Sequence, residues 1–527
     1  MAVILSIDLG TSGCKCALVA LDGTVLAWAF RPVALHIDGV GAEQDPGDWW
    51  QAFIGSAREV LSRDPALRER VAAVCCSTQG EGTVAVDRAG EPLGRAMVWL
   101  DMRGAASIAK QVRGTLINIA GYAPAKLFRW LRLSGGVPAR SGKDPAGHMT
   151  YLRDSQPSLY ERTYKFLNVL DYMNLRLTGR FCATRDSILT SWVTDNRDAH
   201  AIRYDAGLIA MLGLDADKLP DIVGSTEVLG PLLPRVAETL GLAPHVRVVA
   251  GAIDNSAVAV GACAVRDYDT HLYMGTSSWL GAHVPFKKTD VRNKIASVPC
   301  AIDGRYLAVA MQSAAGANLS FLRDRILFHP DELLQDEQRP DVYRLLDRIA
   351  ERVPAGARGL IYTPWLFGER TPVDNTSLRA GLINLSLEHS REDIIRAFLE
   401  GVALNTRWML EPYIRFLGRR PSGITAVGGG AQSDVWCQVM ADVTGCVIRQ
   451  PQAAIQANAL GAAFIAGVGI GALRFDDLPT LQHLCRVYEP RSVHRPLYDD
   501  RYATFQEVHR RLAPLYRRIN PARGPAT

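Results

Sequence analysis

The chain has no Cys-x-x-Cys pair, no His-Glu-x-x-His, no Gly-x-x-x-x-Gly-Lys-Ser/Thr and no Gly-x-Ser-x-Gly. Those absences exclude a paired-cysteine zinc site, a zincin protease, a Walker phosphate loop and a serine-hydrolase elbow. Long apolar runs are missing too. Residues 248–265 are interrupted by Asp254 and Asn255. Residues 457–473 contain Asn458 and are dominated by weakly hydrophobic Gly and Ala. No transmembrane span is expected. The apolar start is cut short by Asp8, so no signal peptide is read and a cytoplasmic protein is expected. Charge of one sign is scarce. A net +5 over 527 residues gives no reason to expect nucleic acid or a membrane surface as partner. The ten cysteines are scattered, as buried free thiols in a reducing compartment would be.

What remains is an ordinary soluble composition, 48% apolar and 21% charged. A chain this long exceeds one core, so two large domains are expected. Boundaries are placed at 1–245 and 246–471, with a helical tail over 472–527. Helices are expected over 48–62, 126–133, most of 160–178, 391–411, 433–443 and 457–466, with one in the tail near 501–512. The helix from 391 is announced by a capping box at Ser390.

One pattern occurs twice. Val3–Gly10 runs into Thr11-Ser12-Gly13 and a second apolar strand containing Lys15. His271–Met274 runs into Gly275-Thr276-Ser277 and another apolar strand. Such turns bare backbone N–H groups and hydroxyls, which suits phosphate oxygens. Two copies, near the starts of two halves, suggest a duplicated domain gripping a nucleotide. Gly10, Thr11, Ser12, Gly275 and Thr276 are the candidate phosphate contacts. Lys15 is either another or an exposed charge.

Asp8 ends the first strand beside its turn, where a carboxylate can hold Mg²⁺ against phosphates or cap its own turn. Asp254 follows a buried strand and enters a helix. It is either an N-cap or a general base taking a hydroxyl proton as phosphate arrives. Gly428-Gly429-Gly430 before Ser433 would let backbone approach a flat or charged ligand at a helix start. Gln79, Gly80 and Glu81 stand at a strand end facing a ligand. Asp101, two residues before Arg103, either lines a polyol pocket or forms an ion pair. Asn255 accompanies Asp254.

Together these segments resemble the FGGY family of carbohydrate kinases, in the branch that includes xylulose kinases. The resemblance spans roughly 4–471. It is carried by Asp8–Ser12, Trp99–Arg103, Asp171–Gly179, Ala250–Asn255, Gly275–Ser278, Gly368–Pro372, Gly428–Trp436 and Ala459–Ala463. It implies the α/β two-domain actin-like ATPase (ribonuclease H-like) fold, with duplicated mixed sheets, flanking helices and a central cleft. It implies ATP and Mg²⁺ deep in that cleft and a sugar against the first domain. Asp254 is the implied base and Asp8 the implied metal residue. Thr11 and Thr276 face phosphates, and Gly428–Gly430 with Ser433 face adenosine. Gln79, Gly80, Glu81, Asp101, Asp254 and Asn255 are the implied substrate contacts.

The pattern is broken at the sugar side. Where xylulose kinases carry Ser-Gly-Gln-Met-His-Gly, this chain has Ser77-Thr78-Gln79-Gly80-Glu81-Gly82. An acceptor-only carboxylate replaces an imidazole. The stretch Gly142–Met149 also comes after extra residues compared with the family's usual Lys-x-x-Trp-Leu stretch. The expected activity is ATP-dependent phosphorylation of a small sugar or polyol, a ketopentose such as xylulose first. Glycerol, ribulose, gluconate or an unusual sugar is the near alternative, and a non-catalytic nucleotide sensor the distant one. A homodimer is left open.

Overall fold

The computed structural model describes residues 2–115, 117–328 and 342–520. The first sheet has six strands: β1 (Val3–Gly10), β2 (Gly13–Ala20), β3 (Val25–Pro32), β4 (Val71–Thr78), β5 (Val228–Pro231) and β6 (Arg247–Ile253), ordered β5-β6-β4-β1-β2-β3. β1, β2 and β3 form an antiparallel meander, while β4 and β6 add in parallel. β1 is buried along nearly its whole length, as a central strand covered on both faces must be.

The second sheet repeats the plan over β7 (Thr270–Met274), β8 (Ser278–Val284), β9 (Thr289–Asp290), β10 (Ile295–Pro299), β11 (Tyr306–Gln312), β12 (Ile424–Val427), β13 (Ile448–Pro451) and β14 (Leu484–Tyr488). Its order is β9-β10-β11-β8-β7-β12-β13-β14. Here β7, β8 and β11 make the antiparallel meander, and β12 and β13 run parallel beyond β7. The chain has the duplicated mixed-sheet architecture expected of it.

The helices include α1 (Pro46–Ser62), α2 (Pro145–Ser155), α3 (Val169–Thr178), α4 (Asp254–Gly261), α5 (Val342–Arg352), α6 (Arg391–Leu417), α7 (Asp434–Thr444), α8 (Ala457–Gly469) and α9 (Arg495–Ile519). The Ser390 capping box is present, with Asp393 at its third position, and α6 runs to Leu417. The single helix expected over most of 160–178 is split. Helix Pro157–Arg162 stops, Lys165–Leu167 becomes a strand, and α3 restarts at a second capping box on Asn168.

Two expected boundaries move. β6 was expected to open the second half, but it hydrogen-bonds to β4 and completes the first sheet. The crossover therefore falls after α4. Nor is the tail separate. β14 pairs with β13, and α9 packs Phe505 against Trp365 and Trp408. The Arg396 guanidinium, on α6, donates to Tyr498 Oη at 3.2 Å. Residues 521–527 of that tail lie outside the described residues.

The two halves exchange helices. Val258, Ala259 and Ala262 pack with Trp279, Leu307 and Val427 of the second half. α8, from the second half, packs Ala459, Ala462 and Ala463 with Ile4, Ala17 and Ala73 of the first sheet. Where α4 and α8 cross, a Cβ on Gly261 would lie 1.9 Å from Ala457 O, and one on Gly461 1.8 Å from Ala257 O. Only glycine lets the two backbones meet this closely.

Candidate active site

Asp254 is delivered to the cleft by a bend in β6. Gly251, at φ +77°, sits in a register shift between Val249 and Ala252, and a Cβ there would lie 2.1 Å from Cys76 O. The strand end is buttressed from behind. Asn174 Nδ2 donates to Ala250 O at 2.8 Å, and Ile253 N donates to Asp186 Oδ2 at 3.0 Å. Asp186 and Asn174 are positioning residues that sequence reasoning missed. Asn174 lay inside a quoted motif, but only the fold shows which strand it holds.

Asp254 is not an N-cap. Ile253 occupies that position and Asp254 is the first residue of α4, its Oδ1 accepting from Asn255 N at 2.7 Å. Surrounding protein raises its pKa to about 7. Burial is the largest cause, the Asn255 N–H opposes it, and the charges of Asp8, Glu81 and Asp186 add to it. A carboxyl tuned near neutrality, partly open at a cleft, suits a general base.

The two hairpins meet around it. Burial is the main cause that raises the Tyr273 phenol, and the charges of Asp8 and Asp254 contribute. Val258 and Ala259 of α4 share an apolar cluster with Tyr273 and Trp279, so the second hairpin lies against the helix that Asp254 begins. Asp8 is almost fully buried and receives Lys15 Nζ at 3.1 Å across the β1–β2 ladder. Lys15 is therefore held at the carboxylate.

Thr11 is more constrained than expected. Its hydroxyl donates to Gln79 Oε1 at 2.8 Å and accepts from Trp99 Nε1 at 2.9 Å. Gln79 in turn donates to Gln44 Oε1 at 2.7 Å, and Gln44 donates to Thr11 O at 2.8 Å. Thr11 and Gln79 are thus bound to each other. The exposed group on this turn is Ser12, and Gly10 is half-buried beside it. Trp99 and Gln44 were not anticipated in this role. In the second turn Thr276 is exposed, and Thr276 O accepts from Ala315 N at 2.9 Å while Gly275 O accepts from Gly316 N at 2.8 Å.

The glycine triplet follows β12. Gly428, at φ +93°, lies over Met274, where a Cβ would come within 2.9 Å of Met274 O. Gly429 has open space before it, and a Cβ on Gly430 would strike Trp436. Ser433 is otherwise employed. It caps α7 by accepting from Trp436 N at 3.0 Å and donates to Asp347 Oδ1 at 2.6 Å.

On the sugar side, Asp101 is withdrawn. It is fully buried, accepts from Ala42 N at 3.0 Å, and pairs with Arg103 at 2.6 Å, which also reaches Glu43. The ion-pair alternative describes it, and the pocket role does not. Gly80, Glu81 and Asn255 are half-buried beside Asp254. Among the described residues no group of three or more His, Cys, Asp or Glu side chains could hold a metal, and no helix is long and apolar enough to cross a membrane.

Duplicated mixed sheets around a cleft, with a tuned carboxylate between two Gly-Thr-Ser turns, define an actin-like phosphotransferase. Residues 3–261 match the N-terminal domain, and residues 271–470 the C-terminal domain, of the FGGY family of carbohydrate kinases. The chain belongs to that family. It is 28% identical to the xylulose kinase of Bacillus subtilis (strain 168) over 474 residues, 89% of each chain. It is 25% identical to the gluconokinase of Bacillus licheniformis over 526 residues, covering 99% of this chain and 96% of that one. Its fold superposes on a ligand-bound xylulose kinase from Lactobacillus acidophilus with TM-score 0.83 at 21% identity, covering 98% and 100% of the two chains. The matched domains meet after α4, which agrees with β6 closing the first sheet.

Proposed function

We propose that this carbohydrate kinase transfers the γ-phosphoryl group of ATP to a hydroxyl of a small sugar or polyol, with Asp254 as general base. The observation that carries the reading is Asp254 itself. It lies at the start of α4, within electrostatic reach of Asp8 and Tyr273, with its pKa raised to about 7. An alcohol attacking phosphorus must lose its proton, and a carboxyl with a pKa near 7 is a stronger base for it than an ordinary carboxylate while still substantially ionised at neutral pH.

In this reading the Ser12 hydroxyl, the exposed Thr276 and the backbone N–H groups of the two turns cradle the phosphates. Gly428–Gly430 leaves room for the adenosine side. Asp8 is the carboxylate that would hold Mg²⁺. One carboxylate fits an ion that takes most of its ligands from phosphate and water. When bound, the ion would neutralise charge on the phosphates. Lys15, salt-bridged to Asp8, fixes the carboxylate in place.

A neutral ketose such as xylulose is the leading acceptor, supported by the Bacillus subtilis relative. The ten free cysteines, nine of them buried, fit a reducing cytoplasm. The test is ADP release with Mg²⁺-ATP across ketoses, polyols and sugar acids, with Asp254→Ala as control. A substrate-dependent signal lost in Asp254→Ala is expected. Undiminished phosphorylation in that variant would sink the assignment.

A further inference from the structure

Two charged side chains close to the candidate site make no hydrogen bond or ion pair with any described residue. Glu81, at φ +60°, is half-buried just past β4. Lys143 is half-buried just before α2. Neither makes a hydrogen bond or ion pair among the described residues. Their segments are tied together. Thr83 Oγ1 and His148 Nδ1 lie 3.1 Å apart, and His148 Nε2 lies 3.3 Å from Asp101 O. The Lys143 loop is packed tightly. A Cβ on Gly142 would lie 2.2 Å from Ala105 N, and one on Gly147 2.3 Å from Gly142 O.

The next residue cannot neutralise the lysine. Asp144 accepts from Ala139 N at 2.6 Å, Gly147 N at 3.0 Å and Trp192 Nε1 at 2.7 Å, and burial raises its pKa to about 7. Burial lowers the Lys143 ammonium, with the Arg370 charge adding to that. Glu81, Asp144 and Asp374 act the other way. Of these, Asp374 is salt-bridged to Lys294 at 3.0 Å. Glu81 is thus the carboxylate left without a hydrogen bond or ion pair among the described residues whose segment is tied to that of Lys143 and whose charge acts on the ammonium and on Asp254.

We infer that Glu81 and Lys143 form the acceptor-reading pair of this kinase, which takes adjacent hydroxyls of an uncharged polyol or ketose and disfavours sugar acids. This rests on the kinase reading above. A carboxylate can only accept and an ammonium can only donate. Each hydroxyl of a vicinal diol does both, so it can donate to Glu81 while accepting from Lys143. A sugar acid would bring its carboxylate next to Glu81 and toward Asp8, Asp186 and Asp254, where the negative charges of Asp8, Glu81 and Asp186 already add to the effect of burial on Asp254. Arg370 adds positive charge near Lys143, but it comes from the opposite half and does not remove Glu81. Gly80 leaves space here, its Cβ position meeting only Ile253 at 3.4 Å.

The experiment measures KM for acceptor and for ATP in wild type, Lys143→Met and Lys143→Arg, over matched polyols, ketoses and aldonic acids. Calorimetry of the same compounds and a melting curve accompany each protein. The expected result is preference for uncharged acceptors. Acceptor KM should rise about tenfold or more in Lys143→Met, as when a site built for a hydroxyl loses its partner, with ATP KM nearly unchanged and partial rescue by Lys143→Arg. A preferred aldonate, or an unchanged acceptor KM in a folded Lys143→Met, overturns the inference and leaves the kinase reading standing. Polyol binding that depends on Lys143 without any phosphorylation does the reverse. Neither binding nor turnover across the panel overturns both.

Discussion

The two hairpins that bracket the cleft share a sequence pattern and differ in what they do with it. Across the first ladder Asp8 faces Lys15 in an ion pair at 3.1 Å. At the matching place in the second, Tyr273 faces Trp279 and the rings stack 3.9 Å apart. The first turn has two residues between its paired ends and the second has three. In the first the threonine hydroxyl is committed to Gln79 and Trp99. In the second the threonine is exposed and its carbonyl anchors the segment at Ala315. Duplication supplied one scaffold twice. The charged chemistry settled in one copy, and the other became an apolar wall with an open hydroxyl.

The contrast is sharpest at the carboxylates. Asp254→Asn should lower kcat about 10³-fold while ATP affinity changes little, since a general base acts in the transition state. A comparable loss from any second-hairpin variant would break the division of labour. Asp8→Asn should weaken apparent Mg²⁺ affinity by about 10- to 100-fold, read by titrating Mg²⁺ at fixed ATP. An unchanged Mg²⁺ profile would return Asp8 to a purely structural role beside Lys15.

The threonines should separate by observable. Thr276→Ala removes the hydroxyl proposed to face phosphate charge, worth about 1.5 kcal/mol, and should raise ATP KM about tenfold without moving the melting temperature. Thr11→Val removes two internal hydrogen bonds and should cost about 1–3 kcal/mol of stability, with the smaller change in ATP KM. Equal behaviour of the two would mean the hairpins are functionally alike.

The smallest expected effect is on pH. In the proposed mechanism Asp254 works as its anion, so kcat/KM should fall as pH drops below about 7. Glu81 raises the Asp254 pKa through like charge. Glu81→Gln should therefore lower that pKa and shift the acid limb to lower pH by up to about one unit. A limb that stays in place would show that burial alone sets the value.

Much of the molecule was legible in the chain. Short strands, the Gly-Thr-Ser turns and the Ser390 cap depend on neighbours a few residues away, and the structure has them where the pattern put them. The division into halves was legible only coarsely. A buried apolar strand such as Arg247–Ile253 carries no mark of which sheet it joins. Its partner is Val71–Thr78, and only hydrogen bonding across that distance assigns it to the first half. The same limit explains Asp101, whose flanking sequence suits a pocket or an ion pair equally until Ala42 and Arg103 close on it.

The sequence by itself determined the family, the duplicated hairpins and the identity of the carboxylates. Those reside in residue types at short spacing, where local sterics and hydrogen bonding are sufficient. Tertiary structure alone decided which groups are still uncommitted. The side chains of Thr11, Asp101 and Ser433 acquire partners from distant segments, while those of Thr276, Glu81 and Lys143 make no hydrogen bond or ion pair among the described residues. A polar group's availability depends on what the whole fold brings within about 3 Å of it, and no stretch of sequence contains that information.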